Sequence, residues 1–81
     1  MVSYDDIEKK VKDIIADQLG VSLEDVQRDS TFSGDLGADD LDFMELIMAF
    51  EEEFEFDIDE DTADGLESVQ NVIDLLSTRS N

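Results

Sequence analysis

The sequence contains neither cysteine nor histidine. That double absence removes disulfides, zinc centres of the usual kind, thiol catalysis and any imidazole base, while permitting a reducing compartment. Basic residues are scarce too: five Lys and Arg stand against 24 Asp and Glu, giving a formal charge of −19. So few cations cannot neutralise a phosphate backbone or grip an anionic lipid surface. No nucleic-acid or membrane partner is therefore expected; basic patches on other proteins are. No apolar run approaches the roughly 20 residues needed to span a bilayer. The opening "MVSYDDIEKK" has acidic residues early and no continuous apolar segment after them, unlike a signal peptide. These features lead us to expect a soluble, cytoplasmic protein. Internal repeats, low-complexity linkers and segments alternating with a period of two are absent as well, which argues for one unit over residues 1–81 and against a sheet.

What is present has to be judged by its spacing. Hydrophobic residues make up 41% of the chain, more than acidic disordered tails carry, whereas the net charge pushes toward disorder. A length of 81 residues supports one modest core and leaves little material for an enclosed catalytic pocket. Ser3, with Asp6 three residues on, opens a helix whose apolar positions Ile7, Val11, Ile14, Ile15 and Leu19 recur at helical spacing until Gly20. "VSLEDVQRDSTFSGDLGA" then has isolated apolar residues Val21, Leu23, Val26, Phe32 and Leu36 among Ser, Asp and Gly. That suits a long loop with a short helical turn at Ser22 to Val26. A short third helix is expected around Glu60 to Asp64, before Gly65, and a last one capped by Ser68 that buries Val69, Val72, Ile73 and Leu76, ahead of the polar tail "STRSN". The element order is that of an all-α, small antiparallel four-helix bundle, three helices longer and one short, with a long first loop.

The second helix, from Asp40 to Phe54, carries too many apolar residues for one stripe. On a wheel of about 100° per residue they separate into two groups. Phe43, Leu46, Ile47, Phe50 and Phe54 form a core face. Leu41, Met44 and Met48 fall opposite, in the company of Glu45, Glu51 and Glu52. Scattered surface hydrophobes are ordinary, but three in a row, two of them adaptable Met and all ringed by carboxylates, favour a docking surface.

Three other chemistries fit poorly. Asp57, Asp59 and Asp61 have the opening spacing of a calcium loop, yet the positions that need Gly and Glu hold Thr62 and Ser68, so no specific metal site is expected. Weak, nonspecific cation binding by crowded carboxylates would affect stability alone. Asp39 and Asp40 are formally an acid–base pair, but catalysis also needs a water-excluding cleft, and an enzyme is not expected. Helix capping accounts for Asp39 well and Asp40 adequately.

The residues "DLGADDLDFMELIMAFEEEFEFDI", Asp35 to Ile58, resemble the signature of acyl carrier proteins of dissociated, type II fatty-acid synthase systems. The likeness extends through "VKDIIADQLGVSLEDVQRDSTF" before it and "SVQNVIDLL" after it, and so covers nearly the whole chain. It implies a bundle of three longer helices and one short one. It also implies a serine at the start of the second helix, in Asp-Ser-Leu, to which a phosphopantetheinyl transferase attaches 4'-phosphopantetheine from coenzyme A. Here the matching triplet is Asp39-Asp40-Leu41. Asp40 has no hydroxyl to attack the coenzyme A pyrophosphate, so the chain is expected to carry no prosthetic group, and Ser30 and Ser33 lie too far back in the loop to replace it.

By the same resemblance Asp39, Leu41, Asp42, Met44, Glu45, Met48, Glu51 and Glu52 match the face gripped by basic patches of fatty-acid synthase enzymes and the transferase. Phe32, Phe50, Phe54 and Ile58 become candidate walls of an acyl pocket, and a monomer is implied. Two readings stay open: a carrier whose attachment serine has been replaced, by design or natural change, and a carrier-like interaction or regulatory module that never carries acyl groups. A third, an acidic mimic of nucleic acid, is disfavoured because the carboxylates concentrate beside the Leu41, Met44 and Met48 stripe.

Overall fold

A computed structural model describes residues 3–79, and for Arg79 the main chain alone. Met1 and Val2 of the N-terminal stretch, and the end of the polar tail, lie outside the described residues. Helix α1 (Tyr4–Leu19) starts where the Ser3 hydroxyl accepts the Asp6 N–H at 3.2 Å, with Asp5 and Asp6 complementing the positive end of the dipole. It stops at Gly20, whose φ of 67° lies in the left-handed region that a side chain would disfavour. Ile7, Val11 and Ile15 form its buried stripe.

A 3₁₀ turn (Leu23–Asp25) follows, as expected at Ser22 to Val26. The long connection after it is a packed strap. Val26, Phe32 and Ala38 point inward, and Ser30 is buried with its hydroxyl accepting the Gln27 N–H at 3.1 Å. The far side of the strap is fastened to the start of the last helix. Val69 donates to the Ser30 carbonyl at 3.0 Å, Gln70 to that of Arg28 at 2.8 Å, and Phe32 to that of Glu67 at 3.1 Å. Among the described residues the one β-type pairing is the isolated Thr31–Ser68 bridge within this seam. A loop of this length therefore satisfies its main chain against a neighbouring element as well as against water.

Helices α2 (Asp40–Phe54), α3 (Glu60–Asp64) and α4 (Val69–Arg79) complete an all-α bundle of three longer helices and one short. Their starts, and the ends of α2 and α3, are those expected from caps and periodicity; α4 instead runs on past Leu76 through Ser77 and Thr78 to Arg79, into the tail expected to follow it, because no Gly or Pro there stops the helical hydrogen bonding. Asp59 accepts the Thr62 N–H at 2.7 Å to start α3; Ser68 accepts the Asn71 N–H at 3.3 Å to start α4. Helix α1 packs against both α2 and α4. Leu46 and Phe50 of α2 meet Val11 and Ile15 of α1 and Val69, Val72, Ile73 and Leu76 of α4 in one core, all of them fully buried. Each such aliphatic side chain contributes roughly 1.5–3 kcal/mol relative to exposure.

A polar seam runs beside this core. Glu8 lies between Lys12, at 2.8 Å, and the guanidinium of Arg28, which also stacks 5.3 Å from the Tyr4 ring centre. The Arg28 hydrogen bond and then the Lys12 one hold the Glu8 carboxyl down to about 2, against an ordinary 4.5. Tyr4 in turn donates to Asp74 at 3.1 Å and accepts from Gln70.

Candidate cargo cleft and docking face

The start of α2 is built by Asp39 and Asp42. Asp39 Oδ1 accepts the Asp42 N–H at 2.8 Å while Asp42 Oδ2 accepts the Asp39 N–H at 3.3 Å, a reciprocal capping box. Gly37, at φ 67°, makes the turn leading in, and Ala38 closes it by donating to the Phe32 carbonyl at 2.7 Å. Asp40 is thus the first helical residue, exposed, with its carboxylate at the positive end of the dipole.

Beside Asp40 opens a cleft of about 480 Å³ between the start of α2, the strap and α3. Its apolar lining comes from Phe32, Ala38, Phe43, Ala63 and Leu66, and its rim carries Asp39, Asp40, Asp64 and Glu67. Phe32 and Phe43 pack with ring centres 5.4 Å apart and planes tilted by 58°. Of the four residues expected as pocket walls, Phe32 lines this cleft. Phe50 is sealed in the core, Ile58 is buried and Phe54 half-buried, and none of the three reaches it. Sequence reasoning placed Phe43 on the core stripe and passed over Ala63 and Leu66. A signal for Phe43 existed: it lies one turn, i+3, from Asp40, so its side chain shares that edge of the helix.

The second stripe of α2 faces solvent. Leu41 is 65% exposed, Met44 61% and Met48 56%, far above the rest of the large apolar side chains of this helix. Asp39, Asp40, Glu45 and Glu52 are exposed around them, and Asp42 is half-buried by its capping role. Glu51 departs from the group: it is half-buried, and its carboxylate turns to accept the Ile58 N–H at 2.8 Å.

A phosphopantetheine attachment site family model matches residues 9–76. Two curated relatives, the proteins named acyl carrier protein in Nitratidesulfovibrio vulgaris strains DP4 and Hildenborough, are each 53% identical over 73 residues, covering 90% of this chain and 96% of theirs. The chain belongs to the acyl carrier protein family. Acyl carrier proteins are carriers rather than enzymes, and their prosthetic group is 4'-phosphopantetheine. No described helix is long and apolar enough to cross a membrane.

An acyl carrier protein holds its arm through a phosphodiester, which needs a hydroxyl. At the exposed start of α2 this chain offers the Asp40 carboxylate. Of the nearby hydroxyls, that of Ser30 is buried and hydrogen-bonded, and Thr31 Oγ1 accepts the Asp35 N–H at 3.0 Å. Ser33 lies in the strap, before the turn at Gly37. The residues at the helix start do not fit attachment through a side-chain oxygen there.

Proposed function

We propose that this chain is an acyl-carrier domain, residues 1–81, of fatty-acid biosynthesis that docks to its partners without receiving the phosphopantetheine arm. The observation that carries the reading is Asp40 itself, an exposed carboxylate standing first in an intact, capped α2. Its anion at the helix N-terminus is a crude stand-in for the phosphate of a modified serine.

The docking half of the proposal rests on the exposed Leu41, Met44 and Met48 among Asp39, Asp42, Glu45 and Glu52. An apolar stripe ringed by carboxylates complements a basic patch with an apolar centre, and charge of −19 steers such a partner in from a distance. The partners proposed are fatty-acid synthase enzymes and phosphopantetheinyl transferase, met by a monomer in the cytoplasm. The survival of this face beside a lost attachment hydroxyl also favours the second reading, an interaction or regulatory module that never carries acyl groups.

Mass spectrometry after incubation with a phosphopantetheinyl transferase and coenzyme A tests the proposal. The unsubstituted chain is expected to keep its mass, and Asp40→Ser to gain one phosphopantetheine. Modification of the unsubstituted chain would overturn the loss of attachment. A folded Asp40→Ser chain that stays unmodified would overturn the placement of the site at position 40.

A further inference from the structure

We infer that Glu51 is a positioning residue, which sets the seat of α3 and thereby one wall of the cleft beside Asp40. Three N–H groups converge on it. Its main-chain carbonyl accepts from Glu55 and, at 3.3 Å, from Phe56, and its carboxylate accepts from Ile58 at 2.8 Å. The turn so gathered is strained, because Glu55 sits at φ 55°, a left-handed conformation that side chains disfavour. It delivers Ile58 to its buried place immediately before Asp59, the cap of α3.

Helix α3 has little else to hold it. None of its five residues is fully buried and Ala63 alone packs against the core, so its seat leans on the anchors at its two ends, Ile58 before and Leu66 after. Ala63 and Asp64 of this helix line the cleft. Removing the acceptor from Ile58 would leave a main-chain N–H unsatisfied beside the core, and the turn would loosen to rehydrate it. The cleft wall would move with it.

Charge makes the Glu51 carboxylate capturable. It stands in the last turn of α2, at the negative end of the dipole, next to Glu52 and Glu53 and with no basic residue in that turn. An ammonium or guanidinium from a docking partner would gain by taking it, and in doing so would withdraw the acceptor from Ile58. Docking on α2 and loosening of α3 are thus two outcomes of one contact. This second step rests on the docking reading above; the positioning role does not.

Residue-resolved hydrogen exchange on the full chain tests both. Glu51→Ala is expected to speed exchange between Ile58 and Leu66 by about tenfold or more, the loss of one hydrogen bond to a charged group, with α1 and α4 unchanged. Glu51→Gln, whose amide oxygen still accepts, should stay near the natural rate. Equal acceleration by both variants, no acceleration by Glu51→Ala, or acceleration across the whole bundle would overturn the positioning role. A tetralysine peptide should speed the same segment of the unsubstituted chain and add nothing to Glu51→Ala. If the peptide shifts the amide signals of Leu41, Met44 and Met48 without speeding exchange, the coupling is overturned and docking stands. If it shifts none of them, the docking reading fails, and the Ala and Gln variants still decide the positioning role.

Discussion

The two ends of this bundle are built on different principles. Around α1 and the start of α4, apolar side chains are sealed, and the surface beside them is laced by Glu8, Arg28, Lys12, Tyr4, Gln70 and Asp74. Four of the chain's five Lys and Arg are Lys9, Lys10, Lys12 and Arg28, all on or beside α1. From the last turn of α2 through α3 the chain has no cation of its own, Glu53 there pairing with Lys10 of α1 at 3.1 Å, and it has a left-handed glutamate and a five-residue helix with no fully buried residue. Stability is concentrated in the first region, and adjustability is left in the second, next to the cleft. The contrast is between a sealed scaffold and a thinly anchored wall of the cleft.

The strongest test of that contrast sets one region against the other. Ile73→Ala, at a fully buried position of α4, is expected to cost roughly 2–5 kcal/mol in urea unfolding. Asp61→Ala, exposed in α3, should stay within about 0.5 kcal/mol. Comparable losses at the two positions would erase the distinction.

A subtler test compares two helix ends with the same backbone geometry and opposite residues. Gly20 and Glu55 close α1 and α2 in left-handed conformations, at φ 67° and 55°. A Cβ at Gly20 would touch nothing within 4 Å, so Gly20→Ala isolates the conformational penalty of about 1–2 kcal/mol. Glu55→Gly relieves a similar strain but adds freedom to the unfolded chain, for a net gain of about 0.5 kcal/mol. Opposite shifts of the melting midpoint are the expected result; a loss of stability from Glu55→Gly would show that the turn is not strained.

The smallest effect concerns acid. Because Arg28 and Lys12 depress the Glu8 carboxyl from 4.5 to about 2, its contribution is present in full above about pH 4.5 and is lost as pH falls toward 2. Arg28 is largely exposed, which limits the contribution to no more than about 1 kcal/mol. The unsubstituted and Glu8→Gln chains should therefore differ in stability at pH 7 and converge as pH approaches 2. A difference that is constant with pH would mean that Glu8 acts through packing and not through its charge.

Much of the fold is local chemistry, which is why it could be read from spacing. Ser3 with Asp6, Asp39 with Asp42, and Gly20 mark helix ends through bonds that span three or four residues. The apolar recurrence of Val69, Val72, Ile73 and Leu76 needs only the helical period to declare its face. The exposed apolar stripe was legible for the same reason: Leu41, Met44 and Met48 face solvent as the wheel placed them. What could not be read depends on where elements meet. The strap's bonds to α4 join Arg28 and Ser30 to Gln70 and Val69, some 40 residues away, by main-chain groups that carry no residue signature. Phe43 lies at the boundary of a core stripe, and whether it meets core or cleft is decided by Phe32 arriving from the strap. Glu51 falls on the solvent side of an ideal wheel, but the chain doubling back after Glu55 brings it a backbone donor. The cleft itself needs α3 beside the start of α2, and no window of sequence contains both.

The capping box leaves position 40 outside the hydrogen bonding that starts α2, so its carboxylate contributes only through the helix dipole and the rim of the cleft. Helix α2 is begun by the residues on either side of it, and its own side chain has no hydrogen-bond partner among the described residues. Serine, aspartate or alanine there would meet the same capping box, and would differ in the charge at the helix start and at the cleft rim. Attachment chemistry and helix architecture therefore rest on different residues: under the function proposed above, a change at position 40 would decide whether an arm can be attached while the capping box and the exposed Leu41, Met44 and Met48 stay in place.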